Sequence, residues 1–243
     1  MNIYSHSKLS DYFYNCVNAV YDNVGDYVSY TFDKIEDTVY NATHTDKTYY
    51  HLCIYFQGSC EKSDWKANFH FFKTLRKRKP YKDMDTSYKV HSGFLNCWKQ
   101  VKDIVKEEIM KEEVLSVTII GYSHGAALAT LCHEFVWFNR EDLRNKLITM
   151  AFEAPRIYGG FKVKDNLKER WDNCYVFRNK RDLVTHLPPR IFGFCDVGNL
   201  VKIGQQKTYG FLTLIRSHYP ENVYSSLKEY ESFHDYIWES KNK

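Results

Sequence analysis

The run Leu115-Ser-Val-Thr-Ile-Ile120 is rich in β-branched residues and stops at Gly121. Gly121-Tyr122-Ser123-His124-Gly125 follows, and Ala126-Ala127-Leu128-Ala129 then opens a helical stretch that reaches Phe138. A short apolar, β-branched run bounded by glycine reads as a buried strand. A strand that passes into a helix through so tight a turn needs glycine on both sides, because a side chain there would strike the neighbouring strand or helix. The turn pushes the central serine hydroxyl out above the sheet, and the helix N-terminus points its backbone N–H groups at the same space. The pentapeptide alone is unspecific, since Gly and Ser are common. Its position between strand and helix makes Ser123 a candidate nucleophile rather than an incidental serine.

The rest of the chain reads as alternating strands and helices. His51-Leu-Cys-Ile-Tyr-Phe56 is a buried strand ending in a turn at Gln57-Gly58-Ser59. Residues 94–114 are helical, with Trp98, Val101, Val105 and Ile109 along one stripe. Strands are expected at 147–152, 173–178, 197–203 and 211–215, and Pro220 opens a terminal helix. Such alternation predicts an α/β protein with a mostly parallel central sheet covered by helices on both faces. Residues 8 to about 40 carry apolar residues at helical spacing (Leu9, Phe13, Cys16, Val17, Val20, Val24, Val28, Phe32, Ile35), so an N-terminal helical extension is expected over 1–46. A helix packed on the main domain, over 47–243, is favoured over a membrane-surface helix, because its polar face is rich in Asp rather than Lys.

A serine nucleophile needs a base and an acid to orient that base. Where the strand–turn–helix serine occurs in α/β hydrolases, the chain order is Ser, then Asp or Glu, then His. Asp182 follows a strand in Asn179-Lys-Arg-Asp-Leu-Val-Thr-His-Leu-Pro-Pro189, a loop from which an acid can orient a histidine; a surface Asp paired with Arg181 is the other reading. Three histidines come after it. His186 is too near Asp182 in sequence to close the set. His234 lies on an apolar helical stripe with Val223, Leu227, Tyr230 and Ile237, where a core role fits better. His218 follows the 211–215 run and precedes Pro220, on a strand-to-helix loop, and is favoured.

With these residues set out, the chain resembles the class 3 lipases, the fungal-lipase-like branch of the α/β hydrolases, from about Thr48 to Tyr230. The resemblance rests on Tyr55-Phe-Gln-Gly-Ser59 with Asp64-Trp65, on Val90-His-Ser-Gly-Phe94, and on Thr118 to Ala129 around the serine. It continues through Phe152-Glu-Ala-Pro-Arg156, Asp182 to Pro189, and His218-Tyr-Pro-Glu-Asn-Val-Tyr224. It implies an α/β-hydrolase fold, a Ser123–Asp182–His218 triad, an oxyanion hole from the Ser59 and His124 backbone N–H groups, and no metal or other cofactor. Three residues depart from the family pattern. Gln57 stands where Arg is usual, His124 where Leu is usual, and Glu153 where Gly is usual; Glu153 is thereby an alternative acid to Asp182.

The function expected is hydrolysis of lipid carboxylic esters, as an acylglycerol lipase or esterase, through an acyl-enzyme. A phospholipase or lysophospholipase on the same residues, and a catalytically inactive lipid-binding protein, are the alternatives. The lid position, between Asp64 and Tyr88, carries Phe69, Phe71 and Phe72 and then Lys73, Arg76, Lys77, Arg78, Lys79 and Lys82. Aromatics beside a basic run suit peripheral contact with a membrane or lipid-droplet surface, although a solvated loop with core aromatics gives the same pattern. A net charge of +4 is too small, without a basic stripe or recognisable motif, to argue for nucleic acid. Seven cysteines without metal spacing, a polar start lacking an apolar core and no apolar run long enough to span a bilayer are read as free thiols and a cytoplasmic protein, with release by another route as the alternative.

Overall fold

The structure, a computed structural model, describes residues 8–25, 27–36, 48–58, 75–160, 167–180, 182–204 and 216–228. Its frame is a seven-stranded sheet. In chain order the strands are β1 (Asp22–Gly25), β2 (Val28–Glu36), β3 (Tyr50–Phe56), β6 (Val114–Tyr122), β7 (Leu147–Phe152), β9 (Cys174–Asn179) and β11 (Asn199–Ile203), and they lie side by side in that same order. From β3 to β11 every pairing is parallel, while β1, β2 and β3 pair antiparallel at one edge. The short strands β4 (Lys77–Arg78), β5 (Lys89–His91), β8 (Tyr158–Gly159) and β10 (Phe194–Cys195) make a second, antiparallel sheet.

Strand alternation sends neighbouring side chains to two separate cores. Leu52, Ile54 and Phe56 of β3 and Val117 and Ile119 of β6 face the larger one, under helices α2 (Ser92–Ile109) and α3 (His124–Asn139). Cys53 and Tyr55 of β3 and Ile120 and Tyr122 of β6 face the other, under α1 (Leu9–Asn18) and α4 (Pro220–Leu227). Helices therefore cover both faces, as parallel strands require. Pro220 sits at the start of α4, where its fixed φ suits the first turn and its missing N–H costs nothing.

The expected N-terminal helix ends at Asn18, and residues 22–25 and 28–36 are strands. Val28, Tyr30 and Phe32 fit a period of two as well as they fit a helix, and β-branched and aromatic residues alternate with polar ones along this stretch. Pairing decided the ambiguity, because β2 runs antiparallel to the whole of β3, from Tyr30 opposite Phe56 to Glu36 opposite Tyr50. The helix that does form packs on the domain. Leu9, Phe13 and Cys16 are buried, and the Phe13 ring meets Tyr122 and Phe152 edge-on at 5.3 and 5.1 Å. A buried side chain of this size contributes about 1.5–3 kcal/mol. The expected strand at 211–215 lies outside the described residues.

Candidate active site

The parallel strands bring their C-terminal ends to one edge, the edge where open α/β sheets hold their ligands. At the end of β6 the chain turns through Ser123, with φ 54° and ψ −117°, and enters α3 at His124. Positive φ is uncommon for a residue with a side chain and persists only where surrounding structure enforces it. The enforcement comes from three sides. The Ser123 N–H donates to the Phe152 carbonyl at 2.8 Å, locking the turn to β7. A Cβ on Gly121 would lie 2.4 Å from the Gly125 carbonyl oxygen. A Cβ on Gly125 would lie 2.2 Å from the Phe56 carbonyl oxygen, at the end of β3. Both glycines are thus required by close backbone approach, as the sequence pattern predicts.

Asp182 and His218 come to this serine from two other loops. His218 Nε2 is 2.7 Å from Ser123 Oγ, and His218 Nδ1 donates to Asp182 Oδ2. The other oxygen, Asp182 Oδ1, accepts from the Val184 N–H at 2.8 Å. Asp182 and His218 have no solvent exposure and Ser123 has 7%. The arrangement has the connectivity of a nucleophile, a base and an acid that fixes the base's tautomer. His186 is exposed and turns its Nδ1 to the Asp182 backbone carbonyl at 2.8 Å, outside this relay. His234, the competing histidine, lies outside the described residues.

Of the two expected oxyanion donors, His124 occupies the first position of α3, where a helix has no internal acceptor for its N–H. Its ring is buried and stacks on Phe94 at 5.1 Å, and burial lowers its pKa to about 4, so the imidazole is neutral. Ser59 lies outside the described residues. The preceding strand is in place, for Phe56 pairs with Gly121.

Two contributors carried no signal in the sequence. Tyr122 packs its ring 5.4 Å from that of His218, and its hydroxyl donates to the His218 carbonyl. Asn179, at the end of β9, joins three pieces. Its N–H donates to Glu153 Oε1 at 2.7 Å, its carbonyl accepts from the Asp182 N–H at 3.0 Å, and its Nδ2 donates to the Ser217 carbonyl at 3.1 Å. Only proximity across the sheet reveals either role.

Glu153, the other acid considered, is fully buried, while the bond to His218 Nδ1 is made by Asp182. Glu153, Asp182 and His218 each present a potential ligand atom within 4.8 Å of the others. Both His218 ring nitrogens are already engaged by Ser123 and Asp182, so this trio has no free imidazole donor for a cation.

A family model described as lipase (class 3) matches residues 53–192. A lipase from Rhizomucor miehei is 28% identical over 63% of this chain and 41% of its own. A secreted mono- and diacylglycerol lipase from Malassezia globosa is 31% identical over 48% of this chain and 38% of its own. The chain therefore spans less than half the length of these two relatives. Among solved structures, one described as a triacylglycerol lipase whose catalytic centre is a serine protease triad superposes with a TM-score of 0.54. It is 26% identical and is matched over 64% of this chain and 58% of its own.

Relatives named as secreted lipases overturn the expected cytoplasmic location. The thiols that motivated it do not decide the compartment. The six described cysteines are free, but five are buried, and burial pushes Cys53 and Cys97 up to about 12, so free thiols at these positions fit either setting. No helix among the described residues is long and apolar enough to cross a membrane.

Proposed function

The chain belongs to the class 3 lipase family, and on that premise we propose that it hydrolyses carboxylic esters of lipids, acylglycerols above all, outside the cell. The observation that carries this reading is the unbroken hydrogen-bonded path from Ser123 Oγ through both ring nitrogens of His218 to Asp182. Ser123 attacks the ester carbonyl while His218 Nε2 takes its proton. The negative charge that develops on the carbonyl oxygen is met by the His124 N–H at the start of α3, where the helix dipole adds to the field. The Ser59 N–H supplies the second donor in the family arrangement; Gln57, two residues before it, holds its carbonyl against Gly125. The tetrahedral intermediate collapses to an acyl-enzyme as His218 passes its proton to the leaving alcohol. Water then repeats the sequence and frees the acid. Asp182 holds the imidazole in the tautomer with Nδ1 protonated and stabilises the imidazolium that forms.

Contact with a lipid surface fits the exposed pair Ile191 and Phe192, 84% and 48% accessible. The Phe192 carbonyl accepts from Lys77 of the basic run, which joins the apolar and cationic features on one side.

A fluorophosphonate probe followed by peptide mapping tests the reading. Ser123 is the expected site of labelling, lost in Ser123→Ala together with hydrolysis of a chromogenic ester. Labelling at another serine, or an intact rate in Ser123→Ala, would refute it. Profiling of cleaved lipids then separates acylglycerol from phospholipid substrates.

A further inference from the structure

Glu153 is a fully buried carboxylic acid immediately after β7, held at φ 56°. That backbone conformation favours glycine, and a long polar side chain in it is costly both for its φ and for its desolvation. One carboxyl oxygen, Oε1, accepts the Asn179 N–H at 2.7 Å. The other, Oε2, is buried with no hydrogen-bond partner. Its carboxyl group lies against Asp182, since a carboxyl oxygen from each and a ring nitrogen of His218 all fall within 4.8 Å of one another. Two ionised carboxylates there would be acceptors only, so neither could bond to the other. A single proton between them turns the contact from repulsion into a donor–acceptor pair.

We propose that Glu153 is a positioning residue that stays neutral and donates its Oε2–H to Asp182, holding that carboxylate in line with His218 Nδ1. The inference rests on the relay reading given above. The charged and titratable groups that face Glu153 agree with it. Among the described residues, Asp182 on the loop after β9 and His218 ahead of α4 adjoin it, and Arg178 of β9 is the cation whose charge acts on it. Arg178 pairs with Asp196 at 2.6 Å, and its charge opposes the upward push on Glu153 less strongly than burial and Asp182 raise it. Burial, and then the Asp182 charge, push the Glu153 carboxyl well above the usual range. With this third donor, beside Val184 N–H and His218 Nδ1–H, the Asp182 charge is spread over more bonds. Asp182 then holds the imidazolium less tightly, and the geometry is fixed before substrate arrives.

Two substitutions test it. Glu153→Gln keeps a neutral N–H donor and an acceptor for Asn179. Glu153→Gly removes the group and relieves the backbone, so it should fold. Expected for Glu153→Gly is a kcat about tenfold lower with KM unchanged, the loss of one hydrogen bond to a charged group. The acid limb of kcat/KM should also move to higher pH. Glu153→Gln should restore kcat to within about threefold of wild type and return the acid limb to its original place. The proton resonance of His218 Nδ1–H gives a readout that needs no turnover. It should move downfield in Glu153→Gly and stay near the wild-type position in Glu153→Gln. Wild-type kcat, pH profile and resonance in Glu153→Gly would overturn the proposal, as would a Gln variant as impaired as the Gly variant. If the wild-type protein hydrolyses no ester, the functional reading fails, and the resonance alone still decides the role of Glu153.

Discussion

The serine turn and the acid–base relay that meets it are assembled on different length scales. Gly121 to Gly125 is specified by residue types within one unbroken stretch, a strand end, two glycines and a helix start, and the adjoining ends of β3 and β7 hold it in place. The relay has no such local logic. His218 meets a serine 95 residues earlier and an acid 36 residues earlier, and the Ser217 carbonyl just before it is held by Asn179 from β9. The first region is backbone geometry, which tolerates no change of residue volume. The second is a chain of hydrogen bonds between loops, which tolerates volume change but not loss of a donor or acceptor. The two should therefore fail differently when perturbed.

The largest effect is expected where the relay touches the serine. His218→Ala should lower kcat by at least ~10⁴-fold, as removal of a triad member does, with a melting temperature close to wild type. Asp182→Asn should come close to that loss, because the amide favours the wrong imidazole tautomer. His234→Ala should leave kcat within a few-fold of wild type. Steady-state kinetics beside thermal melts check all three, and a normal rate in His218→Ala would break the assignment.

Gly125→Ala should show the opposite phenotype. Its new methyl would meet two backbone carbonyls of the β3 end, which cannot yield as a side chain can. Overpacking of this kind typically costs about 1–3 kcal/mol or more, so lower soluble yield and a depressed melting temperature are expected in addition to lost activity. A stable, inactive Gly125→Ala would blur the distinction drawn here.

The helix behind the serine carries a smaller, pH-dependent term. His133 of α3 is buried between Thr149 and the Arg170 carbonyl, and burial lowers its pKa from 6.5 to about 4. The unfolded chain thus binds more protons than the folded one between those values. The stability this group contributes is present above pH 6.5 and is lost as pH falls toward 4. His51, bonded to Ser116 and Thr118, is shifted the same way, whereas the raised Glu153 tilts in the opposite direction. Comparison of wild type with His133→Gln isolates one group. In urea titrations the wild-type advantage should shrink by on the order of 1–3 kcal/mol from pH 7 to pH 4.5. A constant difference would mean that His133 takes up no proton on acid unfolding.

The smallest effect belongs to the residue that joins the two regions. Tyr122→Phe removes the hydroxyl and with it the bond to the His218 carbonyl, and keeps the ring against Phe13 and His218. About 1 kcal/mol of stability and a few-fold in kcat are expected to go. A loss confined to stability would show that the hydroxyl holds the loop without affecting alignment of the imidazole.

Particular residues show what could be read in advance. Strand, turn and helix around Ser123 were legible because each is dictated by neighbours in sequence: β-branched residues, two glycines, then small helix formers. Order and loop position single out Asp182 and His218 in the sequence, and the structure brings both to Ser123. The family resemblance supplied further support, since spacing alone left His234 in contention. The stretch 22–36 was misread because its apolar residues satisfy two periods at once, and the choice lay with a partner strand invisible from within the segment. The sequence by itself therefore determined the parallel α/β frame, the serine turn and the residue types of the relay, all of which follow from local pattern and order. Tertiary structure alone decided that residues 28–36 extend the sheet, that α1 lies directly behind the serine turn, and that Tyr122, Asn179 and Glu153 surround His218 and Asp182. Those relations depend on which strand ends become neighbours across the sheet, and no local periodicity encodes a distance between segments so far apart in the chain.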